Sequence, residues 1–266
     1  MPLSPIVLSL VALASLLPAT LQPWLPDPSR GGRFWSTLLL ALLGPMNWLL
    51  WRLQGEWPTA LSADLWITIV ISLALYGLVS AVNRQAWRLA PLMMPYMLVL
   101  AVLACLSSSR EGAAISVSAP AAWIDSHILV SVATLGLLTL AAAAALACFI
   151  QVRALKLKQP NRLSRLLPSV HDSEQLYETL LILSEVILAA GVATGMATQW
   201  GETHKLLVFD HKTLFSLMAF LVILGLIFGR RWGGVRGQWA VRFALLAYSF
   251  VLLGYFGVKF VRQVLL

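Results

Sequence analysis

Long apolar stretches alternate with short polar segments along the whole of this 266-residue chain. A helix that crosses the hydrocarbon core of a bilayer needs about 20 mostly apolar residues. Eight stretches have this character, and they lie at residues 3–21, 34–51, 65–82, 89–106, 127–152, 176–197, 214–228 and 240–260. The pattern therefore predicts eight transmembrane helices and no soluble domain.

The composition strengthens this prediction. Hydrophobic residues make up 59% of the chain and charged residues only 11%, whereas soluble domains have about 45–50% and about 25%. Lipid admits only structures that satisfy their backbone hydrogen bonds internally. We therefore expect an all-α, polytopic integral membrane protein, with residues 1–266 forming one membrane domain. We expect it in the inner or plasma membrane of the cell, as a multi-pass protein surrounded by lipid.

The positive charges are distributed unevenly between the loops. The formal net charge is +8. The odd-numbered loops hold twelve Lys and Arg residues and the even-numbered loops hold four. The positive-inside rule then places the odd-numbered loops in the cytoplasm and both termini outside. Topology accounts for the charge, so we do not expect binding to nucleic acid.

Two histidines mark the same predicted face of the membrane. His127 and His211 each lie at the start of an apolar stretch that descends from the outer face, in a chain with 4 His. Neutral imidazole is a common axial ligand of haem iron. The pair is therefore a candidate ligand set for haem iron. The alternative is that both rings anchor helix ends at the lipid headgroups.

Polar and aromatic residues around His211 add to this candidate site. Lys212 can pair as a point charge with a carboxylate such as a haem propionate. Asp210 precedes the seventh stretch, where it can cap the helix. Trp200 lies in the same outer region, either beside a cofactor or in the aromatic belt of the membrane interface.

Glu178 and Glu185 lie in the sixth apolar stretch, seven residues apart, so they share one helix face. Glu185 is expected closer to the middle of the membrane. A carboxylate at that depth is costly and is a candidate functional group. The structural alternative is a protonated side chain, or one hydrogen-bonded to a neighbouring helix.

The remaining motifs are few. Cys105 and Cys148 lie in apolar stretches and form no Cys-x-x-Cys motif, which is typical of small packing residues. The chain has no phosphate-binding loop, nucleophile elbow or His-Glu-x-x-His motif. Nothing in the sequence therefore resembles a hydrolase or a nucleotide-driven pump, and whether the protein catalyses a reaction stays open.

Residues from about 123 to the end resemble the cytochrome c assembly family of haem-handling membrane proteins. The resemblance is strongest to the small eight-helix branch of HemX-like and YpjD-like proteins. The segments that carry it are 127–136, 176–179 running to 194–195, 210–216, and 230–237 followed by 253–257. The last pair is the most specific, with a basic residue-Trp-Gly-x-x-Arg-Gly motif and then Tyr-Phe-Gly.

The resemblance implies two parts of the chain: four variable spans in 1–120 and a family-like four-span half in 121–266. It also implies a link to haem and to cytochrome c biogenesis, with haem b as the expected cofactor. The family's synthases carry a tryptophan-rich haem platform. Here that platform is reduced to Trp200-Gly201 and to Phe209-Asp210-His211-Lys212.

Three functions remain open from the sequence. The first is a haem-handling protein of cytochrome c assembly, with haem held near the outer face by His127 and His211. The second is a non-catalytic membrane scaffold or regulator that binds another membrane protein. The third is a proton-coupled transporter that uses Glu185.

Overall fold

A computed structural model describes residues 5–52, 60–107, 121–204, 211–232, 234 and 237–257. These ranges contain helices and no β-strand. The α-helices, numbered along the chain, are α1 Pro5–Leu21, α2 Gly32–Arg52, α3 Leu61–Val82, α4 Ala90–Leu106, α5 Ala121–Lys156, α6 Arg162–Leu166, α7 Val170–Thr203, α8 His211–Trp232 and α9 Gln238–Leu252. A π-helical turn over Leu253–Gly257 follows α9.

The eight predicted spans are confirmed. Eight of the helices in the described residues are long and apolar enough to cross a membrane, and α6 is the exception. The predicted lengths of two spans were too short, because α5 has 36 residues and α7 has 34. At about 1.5 Å per residue these helices are about 54 and 51 Å long, well beyond the hydrocarbon thickness of about 30 Å.

The chain divides into two compact units. Unit 1 comprises Met1–Ile115 with Ile150–Asp172, and unit 2 comprises Ser116–Phe149 with Ser173–Leu266. The last turns of α5 and the first residues of α7 therefore belong to unit 1, and the remainder of both helices belongs to unit 2. Cys105 lies in unit 1 and Cys148 in unit 2, each within a helix.

In unit 1, α1 packs against α2 and α4, and α3 packs against the same two helices. Helices α1 and α2 approach closely at Gly44, where an added Cβ would lie 2.0 Å from Ser15 Oγ. Trp48 Nε1 donates a hydrogen bond to Ser9 Oγ at 2.9 Å across the same pair of helices. Because Gly44 has no side chain, α1 and α2 can lie in direct backbone contact there.

Three of the predicted inner loops meet at one end of unit 1. Arg30, between α1 and α2, donates to the carbonyl of Ala81 near the end of α3 at 3.1 Å. Arg162 of α6 donates to the carbonyl of Trp24 and lies over its ring, 5.6 Å from the centroid. The basic loops thus share one end, as the charge distribution requires. Which side of the membrane this end faces stays a prediction.

Candidate functional site

The contact between α5 and α7 in unit 2 defines the surroundings of His127. His127 Nδ1 lies 3.2 Å from Thr194 Oγ1. Thr194 Oγ1 also lies 3.0 Å from the carbonyl oxygens of Ala190 and Gly191. A carbonyl only accepts, so a Thr194 hydroxyl that donates to the backbone leaves Oγ1 to accept from Nδ1–H. In the neutral tautomer that carries its proton on Nδ1, Nε2 has the lone pair.

Two glycines on α7 allow α5 to approach this closely. A Cβ added to Gly195 would lie 3.1 Å from His127 Cε1, and one added to Gly191 would lie 3.4 Å from Val130 Cγ1. Small residues four positions apart are a common device for close helix packing in membranes. Gly195 thus provides the space that the half-buried imidazole of His127 occupies.

The contact between α7 and α8 is fixed by an ion-pair cluster. Arg230 Nη2 lies 3.2 Å from Glu174 Oε1 and 3.5 Å from Glu178 Oε2. The guanidinium also lies over the ring of Tyr177, 5.2 Å from its centroid. Since α7 and α8 are antiparallel neighbours along the chain, these contacts set the axial register between them.

This register gives the depth of the backbone at His211. His211 lies nineteen residues before Arg230 on α8, and Ala197 lies nineteen residues after Glu178 on α7. Because the two helices are antiparallel, both counts run from the ion pair toward the same end of the bundle. The first residue of α8 therefore lies near the level of Ala197, and His127 lies at the level of Gly195 and its neighbour Thr194. The two levels differ by two to three residues, or about 4 Å along the axis of α7.

The residues of α7 that contact α5 and those that contact α8 lie on different faces. At about 100° per residue, the two faces are roughly a third of a turn apart. Helices α5 and α8 therefore flank α7 on neighbouring sides. The side chains of His211 and Lys212, and the whole of Asp210, lie outside the described residues, so their predicted roles stay predictions.

Trp200 lies in the last turn of α7 and is 50% exposed. Its ring meets that of His204 edge to face, with the centroids 6.1 Å apart. His204 has a φ of +54° and donates its backbone N–H to the carbonyl of Trp200 at 3.0 Å. This left-handed residue is a usual way to end a helix, and it presents Trp200 on the outside of unit 2.

The two glutamates of α7 have different surroundings. Glu178 is about half exposed and pairs with Arg230. Glu185 is 6% exposed, and both of its carboxylate oxygens are buried without a hydrogen-bond partner among the described residues. The predicted hydrogen bond to a neighbouring helix is therefore not found in this part of the chain.

Sequence reasoning identified His127 but missed the role of Thr194. The available signal was the spacing of Gly191, Thr194 and Gly195, which places three small residues on one helix face. The described residues contain no group of three or more His, Cys, Asp or Glu side chains that could hold a metal ion. A haem with one or two histidine ligands does not require such a group.

Comparisons with known proteins agree with the resemblance noted above. The family model described as "Cytochrome C assembly protein" matches residues 55–266, a region that begins before α3. A protein of Azospirillum brasilense, described as "Uncharacterized 28.8 kDa protein in nifR3-like 5'region", is 48% identical over 266 residues and is matched over 98% of both chains. No solved structure matches the chain.

The family match spans most of the chain and includes six of the eight candidate membrane helices. It agrees with the helices of the described residues, eight of which are long and apolar enough to cross a membrane. The protein therefore belongs to the cytochrome c assembly protein family and has a role in cytochrome c biogenesis.

Proposed function

We propose that this protein holds haem near the outer membrane face, between His127 of α5 and His211 of α8. The observation that carries the proposal is the contact of His127 Nδ1 with Thr194 Oγ1 at 3.2 Å. Donation from Nδ1–H to Thr194 leaves Nε2 as the nitrogen with the lone pair. The backbone of His211 lies within about 4 Å of the same level along α7.

The residues at this position fit haem in their donor chemistry. Histidines that bind a metal through one nitrogen usually donate the other N–H to a neighbouring acceptor, which fixes the tautomer and the ring orientation. Thr194 is that acceptor for His127. Gly195 supports the fit, because a side chain there would crowd the ring of His127, at 3.1 Å from Cε1 and 3.8 Å from Nε2.

The proposed cofactor is haem b, held without a covalent bond. Covalent attachment of c-type haem uses a Cys-x-x-Cys-His motif, and the two cysteines of this chain stand far apart in sequence. In this proposal haem is the molecule that is handled. Nε2 of His127 would bind the iron, Thr194 would orient the ring, and Lys212 would pair with a propionate. Asp210 and Trp200 would border the same site.

The visible spectrum of the purified protein tests the proposal. We expect protein made in haem-replete cells to show a Soret band that shifts on reduction. His127→Ala and His211→Ala should each reduce the band, and the double variant should lose it. His171→Ala is the matched control, because His171 is exposed in the first turn of α7. Absence of the band from the wild type, or its survival in the double variant, would refute the proposal.

A non-catalytic scaffold or regulator is the alternative. One observation favours it, namely the exposed basic side chains of Arg153, Lys156, Lys158 and Arg165 in unit 1. Such a surface suits an acidic face of another membrane protein. Photo-cross-linking from Lys158 should then capture one defined membrane protein, whereas adducts with lipid alone would count against this function.

Proton-coupled transport is supported only by the buried, unpartnered carboxyl of Glu185. An intramembrane ionisable group of this kind is a functional candidate by default. In this case Glu185→Gln would abolish proton-coupled uptake in reconstituted vesicles, while His127→Ala would leave it unchanged. Equal uptake by wild type and Glu185→Gln would exclude a transport role for this residue.

A further inference from the structure

A cleft lies between α7 and α8, at the end of unit 2 that is far from His127. Its volume is about 200 Å³, and it is lined by Glu178, Leu181, Ile182, Ile227, Arg230 and Arg231. Since about 10–15 Å³ of such space already holds one water molecule, the cleft can admit a polar group of several non-hydrogen atoms. One half of the lining is charged and the other half is aliphatic.

The charged half contains a buried donor that lacks an acceptor. The Arg230 side chain is only 8% exposed, and its Nη2 pairs with Glu174 and Glu178. Its Nε is buried and has no hydrogen-bond partner among the described residues. A buried donor without an acceptor is unfavourable, so an acceptor brought into the cleft would offset this cost.

The charges around the cleft cancel. Glu174 and Glu178 contribute two carboxylates, and Arg230 and Arg231 contribute two guanidinium groups. Glu178 and Arg231 are both exposed, so one acceptor and one donor group remain accessible. A group that carries both a phosphate and an ammonium matches this pattern, whereas a purely anionic group would be repelled by the carboxylates.

Part of the aliphatic half lies at the protein surface. Ile182 lies on a membrane-spanning helix and is 45% exposed, whereas Leu181 is buried at the base of the cleft. Trp232, which ends α8, is also strongly exposed, and tryptophan is enriched at the level of the lipid headgroups. We therefore place the charged half at headgroup depth, with Ile182 and the half-buried Ile227 on the side of the acyl chains.

We propose that this cleft binds the headgroup of an aminophospholipid of the phosphatidylethanolamine type. Arg230 and Arg231 donate hydrogen bonds to the phosphate, and the primary ammonium donates to the carboxylate of Glu178. The glycerol and the first methylenes of the acyl chains pack on Ile182 and Ile227. Phosphatidylcholine is disfavoured because its quaternary ammonium has no N–H to donate to Glu178.

Lipid competition in nanodiscs tests this site. The full-length protein is reconstituted with equal amounts of phosphatidylethanolamine, phosphatidylcholine and phosphatidylglycerol, then stripped in mild detergent, and the retained lipid is measured by native mass spectrometry. We expect the wild type to retain one phosphatidylethanolamine per chain, with at least fivefold preference over the other two lipids. Glu178→Gln should reduce this preference to near unity, and Arg231→Gln should reduce retention of all three.

Both substituted side chains are exposed, so the variants should fold, and the unchanged helical circular dichroism of each verifies this. Arg165→Gln is the matched control, since it removes an exposed arginine from unit 1. Equal retention of the three lipids by the wild type, a preference for phosphatidylglycerol, or an unchanged preference in Glu178→Gln would each overturn the proposal.

Discussion

Adding one methyl group at Gly195 is a direct test of the arrangement around His127. In Gly195→Ala the new Cβ would lie 3.1 Å from His127 Cε1 and 3.8 Å from Nε2. Carbon atoms in contact are normally about 3.5–4.0 Å apart, so the ring or the helix has to move by about 0.5 Å. The change therefore acts on the ring that the proposed haem site depends on, and it introduces no charge or polar group.

The expected loss follows from the hydrogen bond to Thr194. This bond is 3.2 Å long, which is already at the long end of the usual range of about 2.7–3.2 Å. A shift of the ring breaks it and removes about 0.5–1.5 kcal/mol. Since about 1.4 kcal/mol corresponds to a tenfold change in affinity, Gly195→Ala should weaken haem binding by roughly 2- to 12-fold.

The assay is titration of the purified apoprotein with haem, followed by the Soret difference spectrum. Gly191→Ala is the matched control, because its new Cβ would make only an ordinary 3.4 Å contact with Val130. Both substitutions gain about 0.5–1 kcal/mol of helix propensity. The difference between the haem affinities of the two variants therefore isolates the effect at His127. Equal dissociation constants for the two variants would refute the reasoning.

A second measurement on the apoprotein keeps this test independent of haem. Thr194→Val removes the acceptor of the Nδ1–H bond with little change in side-chain shape. The ¹⁵N chemical shifts of the His127 ring should then move toward a mixture of tautomers. Unchanged shifts would show that Thr194 does not determine the tautomer, even if haem binds.

Three further predictions concern stability, each measured as thermal unfolding in detergent. Arg230→Met should destabilise the protein by about 2–4 kcal/mol, since it leaves two carboxylates without their partner at a partly exposed site. Arg231→Met should change stability by less than about 0.5 kcal/mol, because that side chain is exposed, and equal losses would contradict this. Glu185→Leu should raise the unfolding temperature, because it removes a buried carboxyl that has no hydrogen-bond partner among the described residues, at a cost of about 1–3 kcal/mol. A lower temperature would show that the carboxyl makes a stabilising contact. Gly44→Ala should separate α1 from α2 and cost about 1–3 kcal/mol, and Ser15→Gly in the same chain should restore most of the loss. Additive losses in that double variant would exclude a direct contact.

The eight spans could be predicted from the sequence because the cost of placing a segment in lipid depends on its own residues. The lengths of α5 and α7 could not be predicted in this way. Their ends are polar, and a hydropathy pattern ends where the apolar residues end, although the helical backbone continues. Arg153 and Lys156, for example, lie in the last turn of α5.

The candidate site was only partly predictable. His127 stands out because histidine is rare in this chain and begins an apolar stretch. Its bond to Thr194 depends on the register of two helices whose contacting residues are 67 positions apart, and no local pattern determines that register. Glu185 was only partly predictable for the same reason. Its seven-residue spacing from Glu178 showed that the two share a helix face, but no local pattern shows which residue of another helix lies opposite.

Helix α7 makes polar contacts with two neighbouring helices of unit 2 at positions sixteen residues apart. Thr194 bonds to α5, and Glu178 pairs with α8. A slide of α7 by one helical turn, about 5.4 Å, would break the contact of Thr194 with His127. Arg230 would keep a carboxylate partner in such a slide, because Glu174 and Glu178 are four residues apart and both already pair with it. The ion-pair end of α7 therefore tolerates an axial step that the histidine end does not.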